Sequence, residues 1–205
     1  MSDSLDKLVA QWIRPEIRGL SAYHVQPSPG LIKLDAMENP YAWPDALRGP
    51  WLETLRGIDL NRYPDPTARQ LSERLRDAMG VPPAMRLMLG NGSDELIQMV
   101  AMAVSGPSRS ILSVDPGFVM YRLIATFCGM RYVGVPLLAE DFALDLPAVL
   151  QAMQEHQPAV VFLAYPNNPT GNLFEALAVC EVIRNAPGLV VIDEAYAPFT
   201  DGSFM

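Results

Sequence analysis

Cysteine, histidine and lysine are each nearly missing from this chain of 205 residues, which carries two of each. Cys128 and Cys180 lie in apolar contexts, Ala-Thr-Phe-Cys and Ala-Val-Cys, so neither a disulfide framework nor a thiolate metal site is expected. Buried, reduced thiols are the expectation. His24 and His156 lack the spacing of a two-histidine metal motif, and no metal is expected. Long apolar runs are missing too: Ala159 to Tyr165 falls far short of the roughly 20 residues a membrane helix needs. The start, Met1-Ser2-Asp3-Ser4, has neither the basic nor the apolar region of a secretory signal. A cytoplasmic protein without a membrane span is expected. Basic residues are outnumbered, 15 Lys plus Arg against 23 Asp plus Glu, and none are clustered, so nucleic acid is not an expected partner.

Half of the residues are apolar and 19% are charged, enough to bury a core and remain soluble. Prolines crowd the start. After a short helix from Leu5 to Ile13, Pro15, Pro27, Pro29, Pro40, Pro44 and Pro50 are expected to break anything long, which makes the first 60 or so residues an arm. Tyr63-Pro64-Asp65-Pro66 is a rigid turn. It feeds a helix in which Ala68, Leu71, Leu75 and Met79 recur on one face, expected to lie on a core, until Gly80 and Pro82-Pro83 stop it.

From residue 86 onward short apolar runs alternate with segments of helical period. Strands are expected at Arg86 to Leu89, Ser110 to Val114, Arg131 to Pro136, Ala159 to Ala164 and Leu189 to Asp193. Helices are expected at Ser93 to Val104, Gly117 to Cys128, Asp145 to His156 and Phe174 to Ala186. Strands apolar on both faces and alternating with helices predict an α/β fold, a mainly parallel sheet with helices on both faces.

Ligands of such sheets bind beyond the carboxyl ends of the strands, so the loops after the strands carry the information. Gly90-Asn91-Gly92-Ser93-Asp94-Glu95 opens a helix and could cradle an anion on free N–H groups, or could be an ordinary helix start capped by Ser93. Asp115-Pro116-Gly117-Phe118 offers a ring to stack on a flat heterocycle, or simply a core Phe. Tyr165-Pro166-Asn167-Asn168-Pro169-Thr170-Gly171 could present an amide to a ligand oxygen. Asp193-Glu194-Ala195-Tyr196 ends the last strand with an acid that needs a partner; a protonated pyridine nitrogen would serve, and so would a helix start. A dinucleotide site, with Asp115 as its ribose acid, fails where G-x-G-x-x-G requires its third glycine, at Glu95. A P-loop is excluded, because the chain has no Gly-Lys-Ser/Thr.

Five stretches in register resemble the pyridoxal-phosphate (PLP) aminotransferases of the aspartate aminotransferase fold, most closely the branch acting on histidinol phosphate. They are Leu34-Asp35-Ala36-Met37-Glu38-Asn39-Pro40, Arg62-Tyr63-Pro64-Asp65, Gly90 to Glu95, Asn167-Asn168-Pro169-Thr170-Gly171 and Asp193-Glu194-Ala195-Tyr196. The resemblance implies a PLP-dependent transferase large domain, with residues 1–60 as N-terminal arm and small-domain segment and 61–205 as part of the PLP-binding domain. Gly92, Ser93 and Asp94 would hold the phosphate and Phe118, where Tyr is commoner, would stack on the ring. Asn168 and Tyr196 would hold the phenolic oxygen, and Asp193 would pair with the pyridinium nitrogen. The family's counterpart of Tyr63 reaches the neighbouring subunit's phosphate, implying a homodimer. Tyr23 and Asn39 match the substrate side, and Met37 replaces the usual Asn.

The implied partners are a small-molecule amino donor and a 2-oxo acid, and the implied reaction is histidinol-phosphate:2-oxoglutarate amino transfer in histidine biosynthesis. A related PLP decarboxylase of a phosphorylated amino acid and a non-catalytic PLP-binding fragment are the alternatives. In the family the Schiff-base Lys, an Arg on the phosphate and an Arg for the substrate carboxylate follow the Asp-Glu-Ala-Tyr stretch, whereas Lys7 and Lys33 match no catalytic position. The family's sheet also pairs its first strand with its last, further along still. The chain is therefore expected to be the N-terminal part of a longer polypeptide, or a truncated product, inactive and poorly folded alone.

Overall fold

The computed structural model describes residues 2–21, 29–32, 39 and 41–204; Tyr23, Lys33 and Met37 lie outside the described residues. The elements begin with α1 (Ser2–Trp12), α2 (Pro15–Arg18), α3 (Asp45–Arg56) and α4 (Arg69–Ala78). Then come α5 (Ser93–Val104), β1 (Ser110–Asp115), α6 (Val119–Phe127), β2 (Arg131–Pro136), α7 (Leu146–His156), β3 (Val160–Ala164), α8 (Ala176–Asn185) and β4 (Leu189–Asp193). They fall into two units, residues 1–20 with 88–205, and residues 21–87.

The first unit is built on a four-stranded sheet in the order β2-β1-β3-β4, parallel at every pairing. Alternation along the strands sends side chains to two separate cores. Leu112, Val114, Val161 and Leu163 face Val149 and Met153 of α7 and Val179 and Val182 of α8. Ile111, Val160 and Phe162 face Ile97 and Ala101 of α5 and Tyr121, Ile124 and Ala125 of α6. Each large aliphatic or Phe side chain fully buried this way contributes about 1.5–3 kcal/mol. The central strands are the buried ones: Ser110 to Val114 and all of β3 are covered, whereas β4 is half-exposed. Local signals fix the helix ends. Asp145 caps α7 by accepting the Ala148 N–H at 3.1 Å, and Gln157 closes it in the left-handed region. Near the N-terminus, the Arg14 guanidinium donates to the carbonyls of Thr126 and Phe127 at 3.1 and 2.7 Å, satisfying the end of α6.

The second unit holds α3 and α4, neither of which buries a side chain. Trp43 meets Trp51 edge-on at 5.5 Å, and Arg76 donates to the Pro82 and Met85 carbonyls beyond α4.

Four sequence expectations need correction. Arg86 to Leu89 form no strand, because an extended run without a ladder partner among the described residues has nothing to hold it. α3 runs through Pro50: proline keeps a helical φ and deletes one N–H, a cost of about 3 kcal/mol that lowers helix stability without forbidding it. Leu71 and Met79 are exposed rather than laid on a core, since so short a stretch of helices without a sheet cannot enclose one. Cys128 and Cys180 are free as expected but only half-buried.

Candidate active site

β1 and β3 are hydrogen-bonded neighbours whose following helices leave to opposite faces of the sheet, α6 beside α5 and α8 beside α7. Such a reversal parts the loops at the carboxyl ends of the two strands and leaves a crevice there. After β1 the chain turns at Gly117, where a Cβ would stand 2.2 Å from the Val114 carbonyl oxygen, so only glycine fits. That turn delivers Phe118 as the residue preceding α6. After β3, Asn167 is fully buried and its Nδ2 donates to the Pro116 carbonyl at 3.1 Å and to Thr170 Oγ1 at 2.7 Å. It thereby ties the two loops together and sets the position of its half-buried neighbour Asn168.

Ser93, Phe118, Asn168, Asp193 and Tyr196 line one small cleft, floored by Ala164 at the end of β3. Ser93 begins α5. The residue before it, Gly92, has φ +85°, and no side chain caps this helix. The first-turn N–H groups of Ser93 and Asp94 are thus not met by the Ser93 cap that the sequence allowed, and a helix start without a side-chain cap suits an anion. The Glu95 carboxylate instead accepts the Asn91 N–H and steadies the glycine loop.

Of the adjacent acids, only Asp193 faces the cleft. Its Oδ1 accepts the Ala195 N–H at 3.1 Å and its Oδ2 accepts the Tyr121 hydroxyl at 2.8 Å. Glu194 instead accepts the Phe204 N–H at 2.6 Å and the Ser203 hydroxyl at 3.2 Å. The Asp94 carboxyl is pushed above its ordinary value, by burial first and by the negative charge of Asp193 second. Two acids so placed favour a cation between the loops. Asp115, the ribose acid of the dinucleotide reading, is engaged by Arg122 at 2.9 Å and the Tyr132 hydroxyl at 3.1 Å.

The remaining expected positions lie elsewhere. Tyr63 is fully exposed in the second unit. Asn39 is exposed and its Oδ1 accepts the Tyr41 N–H at 3.0 Å. Tyr23 lies outside the described residues. Sequence singled out neither Tyr121 nor the tie that Asn167, read only as part of its loop, makes to Pro116. Their signal is general, since a buried amide or phenol must find partners.

An aromatic ring, an acid with fixed oxygens, an amide, a phenol and an uncapped helix start together fit a flat, cationic heteroaromatic ring that carries a phosphate and a phenolic oxygen. PLP has that chemistry. Asn167 Oδ1, buried without a partner among the described residues, is an acceptor left in the wall of the same loop.

Fold and cleft together define the class: this is the α/β fold of the PLP-dependent aminotransferases. Histidinol-phosphate aminotransferase from Sinorhizobium meliloti, solved in complex with pyridoxal-5'-phosphate, superposes with a TM-score of 0.75 at 26% identity, over 91% of this chain and 51% of that one. The chain belongs to the aminotransferase class I and II family, which residues 29–205 match. Histidinol-phosphate aminotransferase of Thiocapsa roseopersicina is 60% identical over 91% of this chain and 98% of that sequence. Histidinol-phosphate aminotransferase 2 of Nitrosococcus oceani is 59% identical over 96% of this chain, which spans only 54% of that relative. Against the longer relatives, the chain covers about half of their length.

Proposed function

We propose that the protein carrying this chain binds PLP and transfers the amino group of histidinol phosphate to 2-oxoglutarate, as a cytoplasmic homodimer. The observation that carries the reading is the convergence of Ser93, Phe118, Asn168, Asp193 and Tyr196 on one cleft at the switch point of the sheet. Relatives named for this reaction, 60% and 59% identical, support the choice of donor.

In this reading the backbone of Gly92, Ser93 and Asp94 binds the phosphate, and Phe118 lies on the ring face. Asn168 and Tyr196 hold the phenolic oxygen. Asp193 keeps a proton on the ring nitrogen. When bound, PLP supplies a sink for the electron pair left at the substrate's α-carbon. Tyr63 would complete the phosphate site of a second subunit, and Tyr23 and Asn39 would meet the substrate. Residues 1–60 would serve as arm and small-domain segment and 61–205 as part of the cofactor domain. Neither Lys7 nor Lys33 belongs to a matching motif, so the Lys that moves the proton is assigned to sequence outside these 205 residues.

The test supplies the full-length protein and PLP in two arms, histidinol phosphate with 2-oxoglutarate, followed by glutamate formation, and a phosphorylated amino acid that bears a carboxylate, followed by carbon dioxide release. Glutamate without carbon dioxide is expected. Carbon dioxide release would favour the decarboxylase, and no amino transfer with any donor overturns the reading.

A further inference from the structure

We propose that Tyr121 is a positioning residue of this site, fixing both the acid and the stacking ring. The inference rests on the PLP reading above. Tyr121 lies on α6, outside the loops at the strand ends, and is 1% exposed. Its hydroxyl donates to Asp193 Oδ2 at 2.8 Å. Its ring stacks on Phe162 of β3 with centroids 5.0 Å apart and planes 12° from parallel. Phe118 stands edge-on to the same ring, at 5.5 Å and 89°. One side chain therefore touches the acid and the aromatic wall of the cleft while anchored in the core.

The consequence for Asp193 is geometric. A carboxylate at the end of a half-exposed edge strand is free to turn about its χ angles unless both oxygens are held. Ala195 N–H holds Oδ1 and Tyr121 holds Oδ2, which leaves the remaining lone pairs of Asp193 aimed at the cleft. Burial, and then the charge of Asp193, push the phenol above its ordinary value, which favours the protonated, donating form. A hydroxyl that keeps its proton and donates it to Oδ2 holds the acid without competing for the proton on the ring nitrogen.

Tyr121→Phe removes one oxygen and keeps the ring between Phe162 and Phe118, so it tests the hydrogen bond alone. The experiment uses the full-length protein and four forms: wild type, Y121F, D193A and the double variant. PLP affinity is read by titrating the visible band, together with that band's pH dependence, kcat and KM, and a melting curve for each. Loss of a hydrogen bond to a charged group predicts that Y121F lowers kcat by roughly tenfold, with KM for the amino donor changed less than about twofold. PLP affinity falls by roughly threefold to tenfold and the pH midpoint of the band moves. In the D193A background, Y121F changes affinity by less than about twofold, because Tyr121 acts through Asp193.

Wild-type kcat, affinity and band midpoint in a folded Y121F protein overturn the inference while leaving the PLP reading intact. Equal effects of Y121F with and without Asp193, or a lowered melting temperature with an unchanged band, also overturn it, since they describe a packing role. A wild-type protein that forms no PLP band overturns the reading and the inference together.

Discussion

Asp94 in the first turn of α5 and Asp193 at the end of β4 face each other closely enough that the charge on Asp193 helps hold the Asp94 carboxyl above its ordinary value. Burial is the larger cause, and the two can be separated. Asp193→Asn removes the second and leaves the first. The Asp94 pKa, followed by carboxyl NMR across a pH titration of the PLP-free protein, is expected to fall toward 3.8 without reaching it. Its raised folded value also fixes the sign of the linkage. Protonated Asp94 favours folding below its unfolded pKa, and that contribution is lost as pH rises through the folded value. In D193N only the folded value moves, so the loss is expected to be smaller and to be complete at lower pH.

Replacing Asp193 is expected to harm the reaction more than binding. In the proposed reading the start of α5 and Phe118 would hold PLP without the acid, so the D193A protein should still take up PLP. In that reading, what it loses is the charge that would keep the ring nitrogen of bound PLP protonated. A fall in kcat on the order of 10²–10³ is expected, with PLP affinity down only about tenfold. Single-turnover kinetics and a PLP titration on the same preparation check the split. A variant that loses affinity and rate in equal measure would place Asp193 in simple binding.

Most of the sheet could be read from sequence because its strands are apolar on both faces and bounded by turns. Arg131 to Pro136 and Leu189 to Asp193 match the observed strands at both ends, and Ser93 to Val104 matches α5. Arg86 to Leu89 has the same local pattern and fails, because a strand needs a neighbour and pattern alone does not supply one. α3 shows the reverse, a helix hidden by Pro50, whose penalty is finite. At the site, the residues borne on loops were legible, since turn-forming residues mark loops. The ties made by Tyr121 and Asn167 were not, because their partners, Asp193 and Pro116, are 72 and 51 positions away in sequence.

Phe118 lines the cleft and rests edge-on against Tyr121, so its value to a ligand lies in its face. F118A is expected to weaken PLP affinity by about threefold to tenfold, the range for one aromatic contact beyond area burial. F118Y keeps the ring and should stay within about twofold of wild type. Fluorescence titration of the three proteins with PLP checks both. Equal affinity in F118A would mean that the ring serves the core alone.

The last prediction joins fold and site at Gly117. A methyl group there would lie 2.2 Å from the Val114 carbonyl oxygen and 3.3 Å from its carbon, and both belong to the backbone of β1. No rotamer relieves such a clash; either the central strand shifts or the loop carrying Phe118 does. G117A is therefore expected to cost about 1–3 kcal/mol of stability, as overpacking of a filled interior does. A second effect should accompany it, because the displaced loop holds both Phe118 and the Pro116 carbonyl that anchors Asn167. PLP affinity should fall with the melting temperature. Gly171 supplies the contrast: it has a positive φ of 75° but open space where a Cβ would go, so G171A carries backbone strain without a clash. Melting curves and PLP titrations on the two variants should then diverge. G117A is expected to lose stability and affinity together, and G171A to lose less of both. If G171A proved the more damaging, backbone conformation rather than space would be the constraint that shapes this cleft.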